Sequence, residues 1–141
     1  MDQIVELCTN IDDMSAEEIG YAMQKLLEEG ALDVYAESIL MKKNRPALKL
    51  CVLVRPEKEE HLMRSIFCHT TAIGIRRQEM QRYVLAREIK TIKTSYGEVR
   101  VKYSQGYGVQ KYKIEYEDIA NLAEKNERSF IEMQKLLEEE I

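Results

Sequence analysis

The chain has 141 residues, 45% of them hydrophobic, enough for one domain with a real core or one compact domain with a small appendage. No apolar run approaches the length that spans a bilayer, and the start, with Asp2 and Glu6, lacks the basic-then-apolar layout of a signal peptide, so neither a membrane nor a secreted protein is expected. The net charge of −4 conceals a segregation: one cation against ten acids over residues 1–40, seventeen against six over 41–113, and three against nine over 114–141.

A basic middle between acidic ends suits an anion site beside carboxylates that hold a divalent cation. It suits nucleic acid less well, because the flanking acids repel an extended phosphate backbone. The three cysteines, Cys8, Cys51 and Cys68, are far apart and odd in number. They read as buried thiols of a reducing cytoplasm rather than a disulfide framework.

In chain order, Ile4-Val5-Glu6-Leu7-Cys8 predicts a first strand. Ser15 and Glu18 have capping-box spacing, and the helix they open is expected to run to about Glu29, burying Ile19, Met23, Leu26 and Leu27 and stopping at Gly30. Residues 32–36 and 48–54 alternate as two strands, joined by a turn containing Met41-Lys42-Lys43-Asn44-Arg45-Pro46. Pro56 is expected to open a second helix that buries Leu62, Met63, Ile66 and Phe67. His69-Thr70-Thr71 closes it, and Ile73-Gly74-Ile75-Arg76-Arg77 starts a fourth strand.

The order is βαββαβ, a ferredoxin-like antiparallel sheet covered by two helices, placing the fold in the α+β class. Beyond it, residues 83–85, 89–92, 99–103 and 112–114 predict a small antiparallel β unit with one strongly basic face and a turn at Gly97. Helices from Tyr116 and after Ser129 finish the chain, the latter packing through Phe130, Met133, Leu136 and Leu137. The expected division is a ferredoxin-like subdomain over residues 1–84 and the basic β unit with its helices over 85–141.

Three cations within four positions, Lys42, Lys43 and Arg45, repel one another on a constrained tip, and a turn needs none of them. A phosphate chain is the simplest partner, with Arg45 making bidentate contacts; a solvated loop would have the same composition. Asp12 and Asp13 follow a strand and precede a helix cap. Two adjacent carboxylates there suit Mg²⁺ or Mn²⁺, or one of them caps the helix. Glu117 and Asp118 form a second acidic pair at a helix start, where the dipole alone favours acids. Arg76 and Arg77 point to opposite faces of their strand, so one can enter a site while the other pairs with surface acids. Thr70, Thr71 and Gly74 offer hydroxyls and an approachable backbone to a phosphate, or form a plain connection. His61 and His69 lack transition-metal ligand spacing, and no nucleophile–base pair or glycine-rich phosphate loop occurs.

Five blocks stand in a familiar order: Thr9-Asn10-Ile11-Asp12-Asp13-Met14, Gly30-Ala31-Leu32-Asp33-Val34, residues 41–46, Thr70-Thr71-Ala72-Ile73-Gly74-Ile75-Arg76-Arg77, and Glu115-Tyr116-Glu117-Asp118. Together they cover essentially the whole chain, which resembles the C-terminal domain of LarC, the nickel insertion proteins that serve the nickel-pincer nucleotide cofactor of lactate racemase. The resemblance implies a CTP-dependent nickel insertase, a chelatase of the lyase class. It loads Ni²⁺ as substrate into pyridinium-3,5-bisthiocarboxylic acid mononucleotide, and this part binds CTP with Mg²⁺ or Mn²⁺.

Lys42, Lys43, Arg45, Thr70, Thr71, Arg76 and Arg77 are then the expected nucleotide-binding residues. Asp12, Asp13, Glu117 and Asp118 are the expected metal-binding ones, and no catalytic residue is assigned. Family members carry a longer N-terminal domain rich in potential nickel ligands, so the chain is expected to be a fragment or a separately made C-terminal subunit. Its expected partners are that domain, the nucleotide, the pincer mononucleotide and further copies of itself, with no nucleic acid and no membrane. The alternative is a non-catalytic ferredoxin-like module for oligomerisation or small-ligand sensing.

Overall fold

Period-two alternation builds β1 (Asp2–Ile11): Val5, Leu7 and Ile11 face the core, and Glu6, Cys8 and Asn10 take the opposite face. The computed structural model describes residues 1–141. After β1, the Ser15 hydroxyl accepts from the Glu18 N–H and the Glu18 carboxylate accepts from the Ser15 N–H, the capping box that starts α1 (Ala16–Glu28). Gly30, at φ 105°, turns the chain out of the helix toward β2 (Asp33–Met41).

β2 and β3 (Arg45–Val54) form an unbroken antiparallel ladder from Asp33 opposite Leu53 to Met41 opposite Arg45. The strands therefore run further into the basic segment than their hydrophobic alternation suggests. Only Lys42–Asn44 remains as the tip, with Lys43 and Asn44 at φ 63° and 57°. Pro56 opens a single 3-10 turn, Pro56–Lys58, before α2 (Glu59–His69) begins, and β4 (Arg76–Arg82) starts three residues later than Ile73.

These elements form the first of two units, Met1–Tyr83. Its sheet has the order β2-β3-β1-β4 with every neighbouring pair antiparallel, the ferredoxin-like arrangement. Both helices pack on one face, where Ile19, Leu26, Leu62 and Ile66 meet Val5, Leu7, Leu50, Val52 and Val54. Leu27 and Phe67 lie at the edge of their helical stripes and stay 49% and 40% exposed. Ala22 and Ser65 take the fully covered positions instead.

The second unit, Val84–Ile141, contains the three-stranded antiparallel sheet β5 (Ala86–Thr94), β6 (Gly97–Gly106) and β7 (Val109–Ile114). Val99 and Val101 of β6 pack against Ile119 and Leu122 of α3 (Tyr116–Lys125) and Met133 and Leu137 of α4 (Phe130–Glu138). The other face of this sheet is basic: Lys102 stands opposite Lys113, and Ser104 lies between Arg87 and Lys111. Ser129 caps α4 by accepting from the Glu132 N–H. No helix of the chain is long and apolar enough to cross a membrane.

Candidate functional site

Residues 9–13, the end of β1 and the loop after it, gather side chains from three separate parts of the first unit. The Arg45 guanidinium, at the base of the β2–β3 tip, lies 3.5 Å from an Asp12 carboxylate oxygen. The Thr71 hydroxyl, between α2 and β4, donates to Asp13. Arg76, the first residue of β4, donates from Nη2 to the Asn10 side-chain oxygen at 2.9 Å. Thr9 underpins the arrangement: its buried hydroxyl donates to the Gly74 carbonyl at 2.9 Å, tying β1 to the segment that carries Thr71 and Arg76.

Antiparallel pairing explains the convergence. The sheet order sets β1 between β3 and β4, so the start of β3 and the start of β4 both lie beside the C-terminal end of β1. Two cations, a hydroxyl and two carboxylates thus share one rim. Two clefts flank it. One, of about 280 Å³, is lined by Asp12, Met14, Ile19, Ser38, Ile39 and Leu48 among others. The other, of about 300 Å³, lies on the helix-free face by Lys49 and Arg76.

Not every expected residue joins this rim. Lys42 and Lys43 are exposed on the tip that Arg45 anchors. The Thr70 hydroxyl donates to the Ile66 carbonyl at 2.6 Å and accepts from the Ala72 N–H at 3.2 Å, closing the end of α2. Arg77, on the opposite side of β4 from Arg76, binds Glu59 at 2.9 Å and Glu79 at 2.8 Å, and these acids raise its pKa.

Glu117 and Asp118 belong to the second unit. There Asp118 accepts from the Arg100 backbone N–H at 2.7 Å, from Nε at 3.0 Å and from Nη2 at 2.9 Å. A cation at Asp118 would have to displace all three bonds. Asn10 is the rim residue that the sequence reading passed over. Its signal was present, since a polar Asn at the end of an apolar alternation, two residues before Asp12, continues the open face of β1.

The Arg100 guanidinium holds the Asp118 carboxyl below its ordinary pKa. A carboxylate depressed in the folded state contributes stability above the ordinary carboxylate range and loses it as pH falls through the lowered value. The second unit is therefore expected to weaken on acidification below about pH 4. The acid dependence should flatten in Asp118→Asn, measured by urea unfolding as a function of pH.

The nickel insertion protein family model matches residues 1–134. The pyridinium-3,5-bisthiocarboxylic acid mononucleotide nickel insertion protein of Acetivibrio thermocellus is 49% identical over 123 residues, covering 87% of this chain and 30% of that protein. The protein of the same description from Akkermansia muciniphila is 45% identical over 123 residues, covering 86% of this chain and 30% of that protein. The chain thus spans about a third of the length of these relatives. Among solved structures, the apo form of LarC2, the C-terminal domain of a cyclometallase involved in the synthesis of the NPN cofactor of lactate racemase, superposes with a TM-score of 0.88 at 38% identity. That match covers 96% of this chain and 94% of that one. A protein of Methanopyrus kandleri superposes with a TM-score of 0.73 at 28% identity, covering 95% and 85%.

Proposed function

The chain belongs to the nickel insertion protein family, and on that premise we propose that it binds CTP with Mg²⁺ or Mn²⁺ as the nucleotide-handling part of a CTP-dependent nickel insertase. The substrate of the whole enzyme is pyridinium-3,5-bisthiocarboxylic acid mononucleotide, and Ni²⁺ is its second substrate. The observation that carries this reading is the convergence of Arg45, Thr71 and Arg76 on Asn10, Asp12 and Asp13.

The cations and acids of the rim now satisfy one another, which sets up an exchange of partners. Asp12 and Asp13 would hold a hard dication through their carboxylate oxygens. That releases Arg45 and the Thr71 hydroxyl for phosphate oxygens, and Arg76 turns from the neutral Asn10 amide to a charged acceptor at little cost. Metal and triphosphate therefore assist each other's binding. Lys42 and Lys43 add positive potential from the tip, whereas the charge of Arg77 is offset by Glu59 and Glu79. Charge neutralisation around the phosphates, rather than a protein base, is what this chain supplies to any phosphoryl step, whose rate depends mostly on positioning and electrostatics.

The apolar cleft beside Asp12 is the proposed seat of the base, with Ser38 as its polar contact. Nickel handling is shared with the part of the relatives that this chain does not span. A reducing cytoplasm is the proposed setting, since thiols persist there.

Titrating the protein with CTP, ATP and GTP in the presence of Mn²⁺ tests the proposal. CTP is expected to bind at least about tenfold more tightly than either purine nucleotide, a difference of roughly 1.4 kcal/mol. Equal affinity for all three would remove the nucleotide assignment and favour an assembly module.

A further inference from the structure

We infer that Glu6, Cys8 and Cys51 form a binding site for a borderline-soft divalent metal ion of the nickel or zinc class. The site lies on the helix-free face of the first unit's sheet. Glu6 and Cys8 are two residues apart on β1 and so share that face, and Cys51 of β3 stands directly opposite Cys8 in the ladder. The two sulfurs are 3.2 Å apart, and Cys8 Sγ is 3.1 Å from a Glu6 carboxylate oxygen. All three ligand atoms lie within 4.8 Å of one another. Tetrahedral coordination with metal–sulfur bonds of about 2.3 Å places two sulfurs roughly 3.8 Å apart, so the pair needs to open by only about 0.6 Å.

The polar environment is hard to explain by packing alone. Glu6 is half-buried and forms no ion pair; its partner is a thiol, a weak donor. Three anionic ligands around a dication leave one negative charge. Lys49 and Arg76, on the same face, line the cavity of about 300 Å³ onto which Glu6 and Cys8 open. Three protein donors, two of them lining an open cavity, describe a site for an exchangeable metal carrying an anionic ligand, unlike a closed structural site. Binding breaks two S–H bonds, forms two metal–thiolate bonds and sends two protons to solvent; no electron moves.

The assignment rests on these side chains alone, and its test uses no nucleotide, so its failure would leave the nucleotide proposal standing. The reduced protein is titrated with Ni²⁺ and, separately, Zn²⁺. One equivalent of Ni²⁺ is expected to bring thiolate-to-metal charge-transfer absorption, and either ion to release about two protons per metal bound. The exposed Cys68 should stay open to alkylation with either ion bound, because it takes no part in the site. Cys8→Ser and Cys51→Ser should each weaken binding at least about 100-fold and Glu6→Gln about tenfold, with Cys68→Ser unchanged. Because the buried cysteine variants could disturb the sheet, the proton release and charge-transfer band of the unaltered chain serve as the independent readout. No charge-transfer band and no proton release on adding Ni²⁺ to the reduced chain, a charge-transfer band that survives loss of Cys8 and Cys51, or a Cys8–Cys51 disulfide forming with no metal taken up by the reduced pair would each overturn the inference.

Discussion

Alanine at Arg45 is expected to weaken CTP binding in the presence of Mn²⁺ by roughly 10–100-fold. A hydrogen bond to a charged group contributes about 1.5–3 kcal/mol, and each 1.4 kcal/mol is a factor of ten. Arg45 combines three properties that its neighbours lack together. It has a planar fork matched to phosphate, it begins a fully paired strand, and its head group already lies at the rim beside Asp12. Lys43→Ala removes only an exposed point charge and should cost a few-fold at most, close to what one surface ion pair contributes. Arg45→Lys should recover less than half of the lost free energy, since an ammonium cannot make the paired contact. Removing Arg45 also frees Asp12 from its present partner, so Mn²⁺ binding to the nucleotide-free protein should hold or tighten while CTP binding falls. Opposite movement of the two affinities separates loss of a phosphate contact from damage to the fold. Isothermal titration of the same variant with each ligand gives both numbers.

The second large effect concerns stability. Leu50 is fully buried in the middle of β3, between Thr9 of β1 and Ala36 of β2, in the layer where Leu26, Leu62 and Ile66 meet the sheet. Leu50→Ala is expected to lower the unfolding free energy by about 2–5 kcal/mol through lost burial and the cavity left behind. That is a large fraction of the stability of a domain of this size. Urea unfolding followed by far-UV circular dichroism reads it. Because β3 carries Arg45 at one end and Leu50 at its centre, the variant should lose CTP binding at elevated temperature and keep most of it in the cold, where the first unit remains folded. Arg45→Ala, by contrast, should lose binding at every temperature.

The architecture was legible because local signals agreed with one another. Ser15 and Glu18 announce α1, Gly30 ends it, and two alternating runs around a short polar turn announce a hairpin. Boundaries were less legible where polar residues continue a ladder. Met41, Arg45 and Pro46 read as turn, yet main-chain pairing carries the two strands to Met41 and Arg45 whatever their side chains. Helical period alone gives too wide a stripe: Leu27 and Phe67 have the right period but lie at the margin of contact with the sheet.

The rim itself was only partly legible. Asp12, Asp13, Arg45, Thr71 and Arg76 were singled out by residue type, but their partners depend on sheet order, which brings residues some 60 apart in sequence into contact. Asn10 has no charge to attract notice, and the Cys8–Cys51 contact, 43 residues apart, requires the β1–β3 register. The alternation of Glu6 and Cys8 on one face was visible in the sequence, whereas the thiol facing them was not.

The proposed binding turns on a carboxylate pair that trades its arginine and threonine partners for a hard ion and so frees those groups for a triphosphate. The most direct test is calorimetric titration of CTP into the protein with and without saturating Mn²⁺, repeated with Asp13→Asn. Mn²⁺ is expected to tighten CTP binding at least about tenfold, CTP to tighten Mn²⁺ binding by the same factor, and that mutual effect to shrink sharply in Asp13→Asn. CTP affinity indifferent to Mn²⁺, or a mutual effect left intact by Asp13→Asn, would contradict it.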